Sequence, residues 1–357
     1  MAPRLNRDWK WQIKNALRTP EQFAAFFKWN AKQLEAIRRT AELYPMFATR
    51  FYASLAKSND FRDPVVAQCV AMPRELDDIG SSLDDPLGEQ DSSPLPRLVH
   101  RYPDRALFIT CGVCAVHCRH CMRKRLWNKP IGAPSEAELK QAAEYIESKP
   151  GIRELLISGG DPFLLDDVHI RRIIDAFQQV PNLEMLRFGT RTLVALPQRF
   201  TDELCGILAA SKKTIWVATH FNHPYELSEE AETAVRRLMA AAVPVVNQSV
   251  LLKDINDNAE TLGSLFTGLL AMRIKPYYLF HGDPIRGTTC FRTGLQAGLE
   301  IMEKLRNNIS GMAVPSYAFD LPCGGGKIRL EPDFNAGKAE DGAPLFRRFN
   351  GGTEAYR

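Results

Sequence analysis

Six short apolar runs divide the chain between residues 106 and 280. Each run is rich in β-branched or aromatic residues, which is typical of a strand buried on both faces of a parallel sheet. From the second run onward the runs begin about 30 residues apart, which is the length of one strand–helix unit. The runs are Ala106–Thr110, Leu155–Ser158, Met185–Gly189, Ile215–Thr219, Val243–Asn247 and Pro276–Phe280. The spacing therefore predicts an α/β fold, either an open doubly wound sheet or a barrel of six strands.

The first 95 or so residues show helical periodicity instead, with apolar residues three and four apart. The predicted helices are Trp9–Leu17, Pro20–Phe27 and Ala31–Ala56. Residues 75–97 are rich in Asp, Ser, Gly and Pro, which predicts a linker or a connection along the surface. We therefore expect three parts, which are a helical region over 1–95, a barrel over 96–335 and a short C-terminal extension over 336–357.

The composition excludes several classes of protein. Lys and Arg number 46 against 42 Asp and Glu, so the net charge of +4 is too small to indicate a nucleic-acid-binding protein. No apolar run approaches the length of a membrane span, and the sequence MAPRLNRDWKWQIKN lacks the apolar core of a secretory signal. We therefore expect a cytoplasmic protein that binds a small molecule and neither nucleic acid nor membrane.

Four of the eight cysteines fall within eleven residues, in CGVCAVHCRHC directly after the first apolar run. Disulfide frameworks belong to short secreted chains, and structural zinc sites usually have two separated cysteine pairs. The C-x3-C-x2-C spacing of Cys114, Cys118 and Cys121 favours an iron–sulfur cluster with one iron left open. Cys111 remains a candidate fourth ligand, and zinc remains an alternative metal.

Two further motifs carry candidate functional residues, one directly after the second apolar run and one near the C-terminus. Gly159, Gly160 and Asp161 come directly after the second run, where glycines allow close backbone approach and the carboxylate can accept hydrogen bonds from an ammonium group. Lys327 ends the sequence CGGGK, but Ile328 follows it, so the phosphate-binding P-loop spacing is absent. A lysine on a glycine arm suits a Schiff base with an aldehyde cofactor.

These motifs and several more blocks resemble the lysine 2,3-aminomutase family of radical S-adenosylmethionine (SAM) enzymes. The matching blocks are HRYPDR, the cysteine triplet, SGGD, THFNHP, NQSVLL and D-x-P-x-GGGK, in this order from about residue 7 to about residue 350. The resemblance implies a partial (β/α)6 barrel with an N-terminal helical region. It also implies three cofactors, which are SAM, a [4Fe–4S] cluster and pyridoxal 5′-phosphate.

The resemblance also implies a role for each matching residue in holding these cofactors. The cluster ligands would be Cys114, Cys118 and Cys121. The residues that help to hold SAM would be Gly159, Gly160, Asp161, His220 and Gln248. The pyridoxal phosphate residues would be Lys327, which forms an aldimine with it, and Arg101, Tyr102 and Arg105 near its phosphate.

The substrate residues implied by the resemblance have complementary charges. Arg123 matches the ligand of the substrate carboxylate, and a guanidinium group binds a carboxylate through two parallel hydrogen bonds. Asp283 and Asp320 match the two acids that hold the distal ammonium of lysine. The implied activity is an isomerase reaction in which a 5′-deoxyadenosyl radical starts the migration of the α-amino group of L-lysine to its β-carbon, giving β-lysine. Two acids at the distal end should reject glutamate.

The sequence departs from the family in ways that leave the substrate and the assembly open. Phe280 replaces a tyrosine and Cys323 replaces a glycine near the pocket, so arginine, ornithine and glutamate remain alternative substrates. LLKDINDNAETL resembles the branch that makes β-lysine for modification of elongation factor P. No cysteine follows Cys323, and Asn258 stands where a zinc-binding cysteine is expected, so we predict a homo-oligomer that is not bridged by zinc.

Two other classes of protein share part of this pattern. A non-radical pyridoxal enzyme would use Lys327 without the cysteines, and an iron–sulfur sensor would use the cysteines without the paired acids. A radical SAM enzyme also needs an external electron donor, for which we expect a flavodoxin or a ferredoxin.

Overall fold

The computed structural model describes residues 8–77, 83–127, 129–322, 324–349 and 351–357, so Cys323 lies outside the described residues. Its main element is one sheet of nine strands. They are β1 Leu98–Tyr102, β2 Arg105–Ile109, β3 Glu154–Ser158, β4 Met185–Gly189, β5 Thr214–Thr219, β6 Val245–Leu251, β7 Lys275–His281, β8 Ser316–Leu321 and β9 Gly326–Leu330. All six predicted strands are present as β2 to β7, although β6 begins two residues later than predicted.

The strands are neighbours in chain order, and β2 to β8 are parallel. The outer strands β1 and β9 are antiparallel to β2 and β8 and were not predicted as strands. Within the described residues β1 and β9 do not pair with each other, so the sheet is an incomplete barrel. The prediction of a partial barrel is thus confirmed.

Twelve helices are described. They are α1 Trp9–Lys14, α2 Pro20–Phe27, α3 Ala31–Leu43, α4 Arg50–Ser54, α5 Pro64–Cys69, α6 Glu136–Glu147, α7 Asp167–Gln178, α8 Thr192–Ala195, α9 Asp202–Ala209, α10 Glu229–Ala240, α11 Ala259–Ala271 and α12 Leu295–Asn308. None of these described helices is both long enough and apolar enough to cross a bilayer.

The predicted helix Ala31–Ala56 is wrong, because the structure has two helices there, α3 and α4. Pro45 disfavours a helical conformation at the preceding residue, and Tyr44 is accordingly extended, with φ −123° and ψ 91°. The chain becomes helical again after Thr49, whose hydroxyl accepts a hydrogen bond from the backbone N–H of Tyr52. The side chains of this region and of the barrel belong to one continuous hydrophobic core.

The two faces of the sheet differ in exposure. Along β2, β3 and β4, alternate residues are buried against the helices and the residues between them are partly exposed. One row of these inward residues joins neighbouring strands in register, namely Leu107, Leu156, Arg187 and Trp216. The inside of the barrel is therefore an accessible lumen.

The C-terminal residues form a separate sheet of three antiparallel strands. The strands are β10 Asn335–Lys338, β11 Pro344–Arg347 and β12 Thr353–Ala355, and most of their residues are exposed. The domain boundaries at 95 and 335 remain a prediction.

Candidate active site

The cysteine-rich loop lies between β2 and α6. Cys114, Cys118 and Cys121 are partly buried, and burial raises the pKa of each thiol, that of Cys121 to about 11. Neighbouring cysteines also raise the pKa of Cys114 and of Cys121. Three neighbouring thiolates in such an environment require positive charge, and iron supplies it. The residues present therefore fit a cluster.

Two observations refine the ligand set. No three Cys, His, Asp or Glu side chains of the described ranges converge as ligands of a single ion. The three cysteines of a [4Fe–4S] cluster bind different irons, so they need no such convergence. Cys111, the candidate fourth ligand, is 1% exposed in the hydrophobic core, and its Sγ donates to the carbonyl of Asp161 at 3.3 Å.

Buried salt bridges join the cysteine-rich loop to Glu75. Arg119 is fully buried and donates to Glu75 through Nε at 3.0 Å and NH2 at 2.8 Å, and Lys124 donates to the same carboxylate at 2.8 Å. Burial alone would raise the pKa of Glu75, but the two cations outweigh it and lower the pKa. The linker or surface connection predicted over 75–97 therefore begins with a buried residue, since Glu75 is 1% exposed.

A second acid from the same segment pairs with the predicted substrate ligand Arg123. Glu89 is 4% exposed and accepts hydrogen bonds from Nε of Arg123 at 3.1 Å and from NH2 at 2.6 Å. Arg125 also donates to Glu89 at 2.7 Å, and these arginines lower the pKa of the carboxyl to about 2 despite its burial. Among the described residues, NH1 of Arg123 has no hydrogen-bond partner, so one side of this guanidinium is available to a ligand.

The glycines of the SGGD block bring two loops together. Gly159 has φ +120°, and a Cβ on Gly160 would lie 2.3 Å from the carbonyl oxygen of Val113. The backbone N–H of Asp161 donates to that same oxygen at 2.7 Å. The close approach predicted for these glycines is therefore made by the cysteine-rich loop itself.

The carboxylate of Asp161 does not have the geometry that we predicted for it. It is 2% exposed and accepts hydrogen bonds from the Thr190 hydroxyl at 2.7 Å and from the backbone N–H groups of Phe163, Arg191 and Thr192 at 3.2, 2.7 and 2.8 Å. These bonds occupy the lone pairs of both oxygens, so the carboxylate has none left for an ammonium group. Asp161 instead fixes the turn that carries Arg191.

Sequence reasoning missed Arg191, although its guanidinium joins the cysteine-rich loop to the helical region. NH1 donates to Sγ of Cys118 at 2.9 Å, while NH2 donates to Tyr52 at 2.9 Å and to Gln68 and Glu226 at 2.7 Å each. An arginine after a strand has no signal of its own in the sequence. The fully buried Glu226, which follows THFNHP, is the nearest hint.

Several buried polar side-chain atoms in the cysteine-rich loop, after β4 and at the end of β5 have no hydrogen-bond partner among the described residues. They are Nε of Arg191, Nδ1 of His120, and Oγ1 of Thr192 and Thr219. His220 lies next to Thr219 at the end of β5, and burial lowers its pKa to about 4, as do Arg191 and Arg123, so its imidazole is neutral at pH 7. Gln248 is half-buried on β6. Unpaired polar atoms of this kind fit a polar cofactor such as SAM.

Lys327 lies in β9, directly opposite Asp320 of β8. Its Nζ donates to Asp320 at 2.5 Å and stands 4.0 Å from the ring centre of Phe280. Burial is the main cause that raises the pKa of Asp283 to about 6, and the negative charge of Asp320 is the second. The positive charge of Lys327 acts in the opposite direction and lowers that pKa. The ammonium of Lys327 therefore interacts with both predicted substrate acids.

HRYPDR forms the β1–β2 hairpin and faces these acids across the open side of the barrel. The hydroxyl of Tyr102 donates to Asp320 at 3.4 Å, and NH2 of Arg101 lies 3.9 Å from the same carboxylate. Nε and NH2 of Arg101 are buried and have no hydrogen-bond partner among the described residues, and Cζ of Arg105 lies 3.9 Å from the ring centre of Tyr102. A guanidinium with unused donors fits a phosphate group, so these residues are compatible with pyridoxal phosphate.

Comparison with known proteins identifies the family. Residues 108–265 match the family model of the radical SAM superfamily, and residues 302–357 match the model described as lysine-2,3-aminomutase.

Similar proteins cover nearly the whole chain. L-lysine 2,3-aminomutase of Fusobacterium nucleatum is 39% identical over 98% of this chain and 82% of its own, and that of Clostridium subterminale is 37% identical over 98% and 83%. Glutamate 2,3-aminomutase of Clostridioides difficile is 36% identical over 94% and 79%. Radical SAM enzymes use SAM with an iron–sulfur cluster, and aminomutases are isomerases. The chain therefore belongs to the lysine 2,3-aminomutase family of radical SAM enzymes.

Proposed function

We propose that this enzyme moves the α-amino group of L-lysine to the β-carbon, giving β-lysine, with pyridoxal phosphate bound through Lys327. The reaction exchanges an amino group and a hydrogen between neighbouring carbons, so it needs no net oxidant or reductant. The observation that carries the proposal is the hydrogen bond from the ammonium of Lys327 to Asp320, near enough to Asp283 to lower its pKa, which supports an acidic site suited to the end group of a lysine side chain.

The two ends of lysine require opposite charges. Asp320 and Asp283 would accept hydrogen bonds from the distal ammonium. Arg123 would donate to the substrate carboxylate through NH1, while Glu89 holds its other nitrogens. Charges fixed at both ends orient the α- and β-carbons between them.

The cofactor residues have distinct tasks. Cys114, Cys118 and Cys121 would hold the [4Fe–4S] cluster; His220 and Gln248, with the backbone around Gly159 and Gly160, would hold SAM. Arg101, Tyr102 and Arg105 would hold the phosphate of pyridoxal phosphate. When bound, the cluster and SAM supply a hydrogen-abstracting radical, and pyridoxal phosphate supplies an aldehyde that binds the migrating nitrogen. Asp161 acts through Arg191, which contacts Cys118.

The same site makes different predictions for other amino acid substrates. Arginine and ornithine carry a distal cation and would compete with lysine. One similar protein is named glutamate 2,3-aminomutase. Glutamate would bring a third carboxylate close to Asp283 and Asp320 without a cation between them, so we expect the site to reject it. Membership of an enzyme family of radical SAM isomerases excludes the iron–sulfur sensor and the non-radical pyridoxal enzyme.

The remaining features of the proposal concern the cellular context. The enzyme would act in the reducing cytoplasm, receive single electrons from a flavodoxin or ferredoxin, and form a homo-oligomer without bridging zinc. β-Lysine could serve as a free metabolite or supply the modification of elongation factor P.

The proposal is tested with anaerobically reconstituted enzyme that contains the cluster and pyridoxal phosphate. It is incubated with SAM, a chemical reductant and each of ¹⁵N-labelled lysine, arginine, ornithine and glutamate, and β-amino products are identified by mass spectrometry. We expect β-lysine from the wild type, at least tenfold less from Asp320→Asn, and an unchanged amount from the exposed control Asp91→Asn. A product from glutamate and none from lysine would overturn the assigned substrate.

A further inference from the structure

The guanidinium group of Arg191 donates to one sulfur of the cysteine triplet. Arg191 is 8% exposed, and its NH1 donates to Sγ of Cys118 at 2.9 Å. A guanidinium has only donors and keeps its positive charge in proteins, so the sulfur receives a hydrogen bond and a neighbouring charge together. Hydrogen bonds of this charge-assisted kind are stronger than neutral ones.

We propose that Arg191 makes the [4Fe–4S] cluster easier to reduce through its hydrogen bond to Cys118. The inference rests on the proposed function in one respect, since it takes Cys118 as a ligand of the cluster. Arg191 is thus a positioning residue, which acts through a cluster ligand and not on the substrate. The helices α4 and α5 share in the effect, because they hold the arginine.

The other terminal nitrogen of Arg191, NH2, is held by three side chains. It donates to Tyr52 of α4 at 2.9 Å, and to Gln68 of α5 and to Glu226 at 2.7 Å each. These partners also bond to one another, since the Tyr52 hydroxyl donates to Glu226 at 2.8 Å and Nε2 of Gln68 donates to it at 3.2 Å. The network restricts rotation of the guanidinium and so fixes the direction of NH1.

Reduction adds one electron from the external donor to the cluster, which becomes more negative by one charge; no bond between the protein and iron forms or breaks. Net charge and hydrogen bonds to the sulfurs are among the factors that set the potential of a cluster. The positive charge of Arg191 stabilises the more negative, reduced form, and salt screens buried charges only weakly. Glu226 is fully buried and offsets part of this charge from the NH2 side. Arg191 should therefore raise the reduction potential, and Glu226 should lower it.

The test is a redox titration of the reconstituted cluster in the whole enzyme, followed by the electron paramagnetic resonance signal of the reduced form. SAM and lysine are left out, so effects on their binding do not enter the potential. Wild type is compared with Arg191→Gln, with Glu226→Gln, which keeps the arginine, and with the control Arg172→Gln on the exposed face of α7. Iron and sulfide contents check that each protein holds a complete cluster.

We expect the potential of Arg191→Gln to fall by at least about 59 mV, which is a tenfold smaller ratio of reduced to oxidised cluster at a fixed solution potential. Glu226→Gln should shift in the opposite direction, and Arg172→Gln should match the wild type. An unchanged potential in Arg191→Gln would overturn the inference. Shifts of the same sign in both buried variants would also overturn it, because they would indicate a general distortion of the loop.

A second comparison applies if Arg191→Gln does not fold or does not take up the cluster, since that variant leaves Glu226 buried without its cation. The double variant Arg191→Gln, Glu226→Gln leaves neither charge unpaired, and it differs from Glu226→Gln only at Arg191. Its potential should be the lower of the two by a similar amount, and equal potentials would overturn the inference.

Failure of the proposed function is distinguished by two further measurements. An unchanged iron content in Cys118→Ala would overturn Cys118 as a cluster ligand, and the inference with it. Absence of β-lysine from the loaded wild type would overturn the proposed activity alone, because the potentials are measured without lysine.

Discussion

Two ion pairs of the candidate active site, Arg123–Glu89 and Lys327–Asp320, differ in whether the proposed function would break them. Arg123 and Glu89 are 11% and 5% exposed, and Arg125 and Asp85 extend them into a network of four charges. Lys327 and Asp320 are somewhat more exposed and face each other across one hairpin. No step of the proposed function removes the charge of Glu89, whereas binding of pyridoxal phosphate through Lys327, as proposed, would remove the ammonium of that residue. The first pair would then persist through the reaction, and the second would be broken when the cofactor binds.

The variant Lys327→Ala should separate the contribution of the Lys327–Asp320 pair to activity from its contribution to stability. We expect turnover to fall by at least a thousandfold and the visible absorbance of lysine-bound pyridoxal phosphate to disappear. The free energy of unfolding should change by less than about 1 kcal/mol, because the partner Asp320 still has Arg101 and Tyr102 nearby. Activity assays, absorbance spectra and urea unfolding measure the three quantities. Full activity would show that another residue binds the cofactor, and Lys338→Ala is the control.

Glu89→Gln tests the permanent pair. It leaves Arg123 and Arg125 buried without their shared counter-charge, and breaking a buried pair typically costs about 3–5 kcal/mol. We expect the free energy of unfolding to fall by about that amount and the KM for lysine to rise, since Arg123 loses its support. Glu340→Gln, on an exposed loop, is the matched control. A change below about 0.5 kcal/mol in urea unfolding would contradict the structural role.

Asp320→Asn should produce the reverse pattern in the reversible pair. We expect KM for lysine to rise about 10- to 100-fold, because an amide lacks the charge that binds the ammonium, and the free energy of unfolding to change by less than about 1 kcal/mol. Steady-state kinetics beside urea unfolding would reveal the difference from Glu89→Gln. Similar losses of stability in both variants would remove the distinction between the pairs.

Asp283 gives the smallest effect, which depends on pH. Its pKa is raised from 3.8 to about 6 in the folded protein, so the stabilisation is complete below pH 4 and is lost as pH rises through 6. Relative to Asp283→Asn, the wild type should therefore lose about 1–2 kcal/mol of stability between pH 4 and 7, after allowance for solvent screening. Lysine affinity should rise over the same interval, as the carboxylate ionises. Parallel stability curves for the two proteins would contradict the raised pKa.

The sequence predicted the parts of this molecule that have local or periodic signals. The strand β4 coincides with the apolar run Met185–Gly189, and the C-x3-C-x2-C spacing of the cysteines can be recognised directly in the sequence. Glu75 and Glu89 were missed because their partners are 44 and 34 residues away and their own segment is rich in turn-forming residues. The hydrogen bonds of the Asp161 carboxylate were missed for a similar reason, since Thr190 and Arg191 lie about 30 residues further along the chain. Long-range pairing of charges leaves no pattern in a single sequence.

The contact between Tyr102 and Asp320 also has a consequence for how the protein is made. These residues are 218 positions apart, on the edge strand β1 and on β8, the strand next to the opposite edge. Glu75 and Arg191, which hydrogen-bond to the cysteine-rich loop, are translated well before β8. Asp283 and Asp320, the acids proposed to hold the ammonium, follow later, and Asp320 comes only with β8. A nascent chain therefore acquires the cysteines proposed to hold the cluster, together with Arg123, well before the acids proposed to bind the distal ammonium.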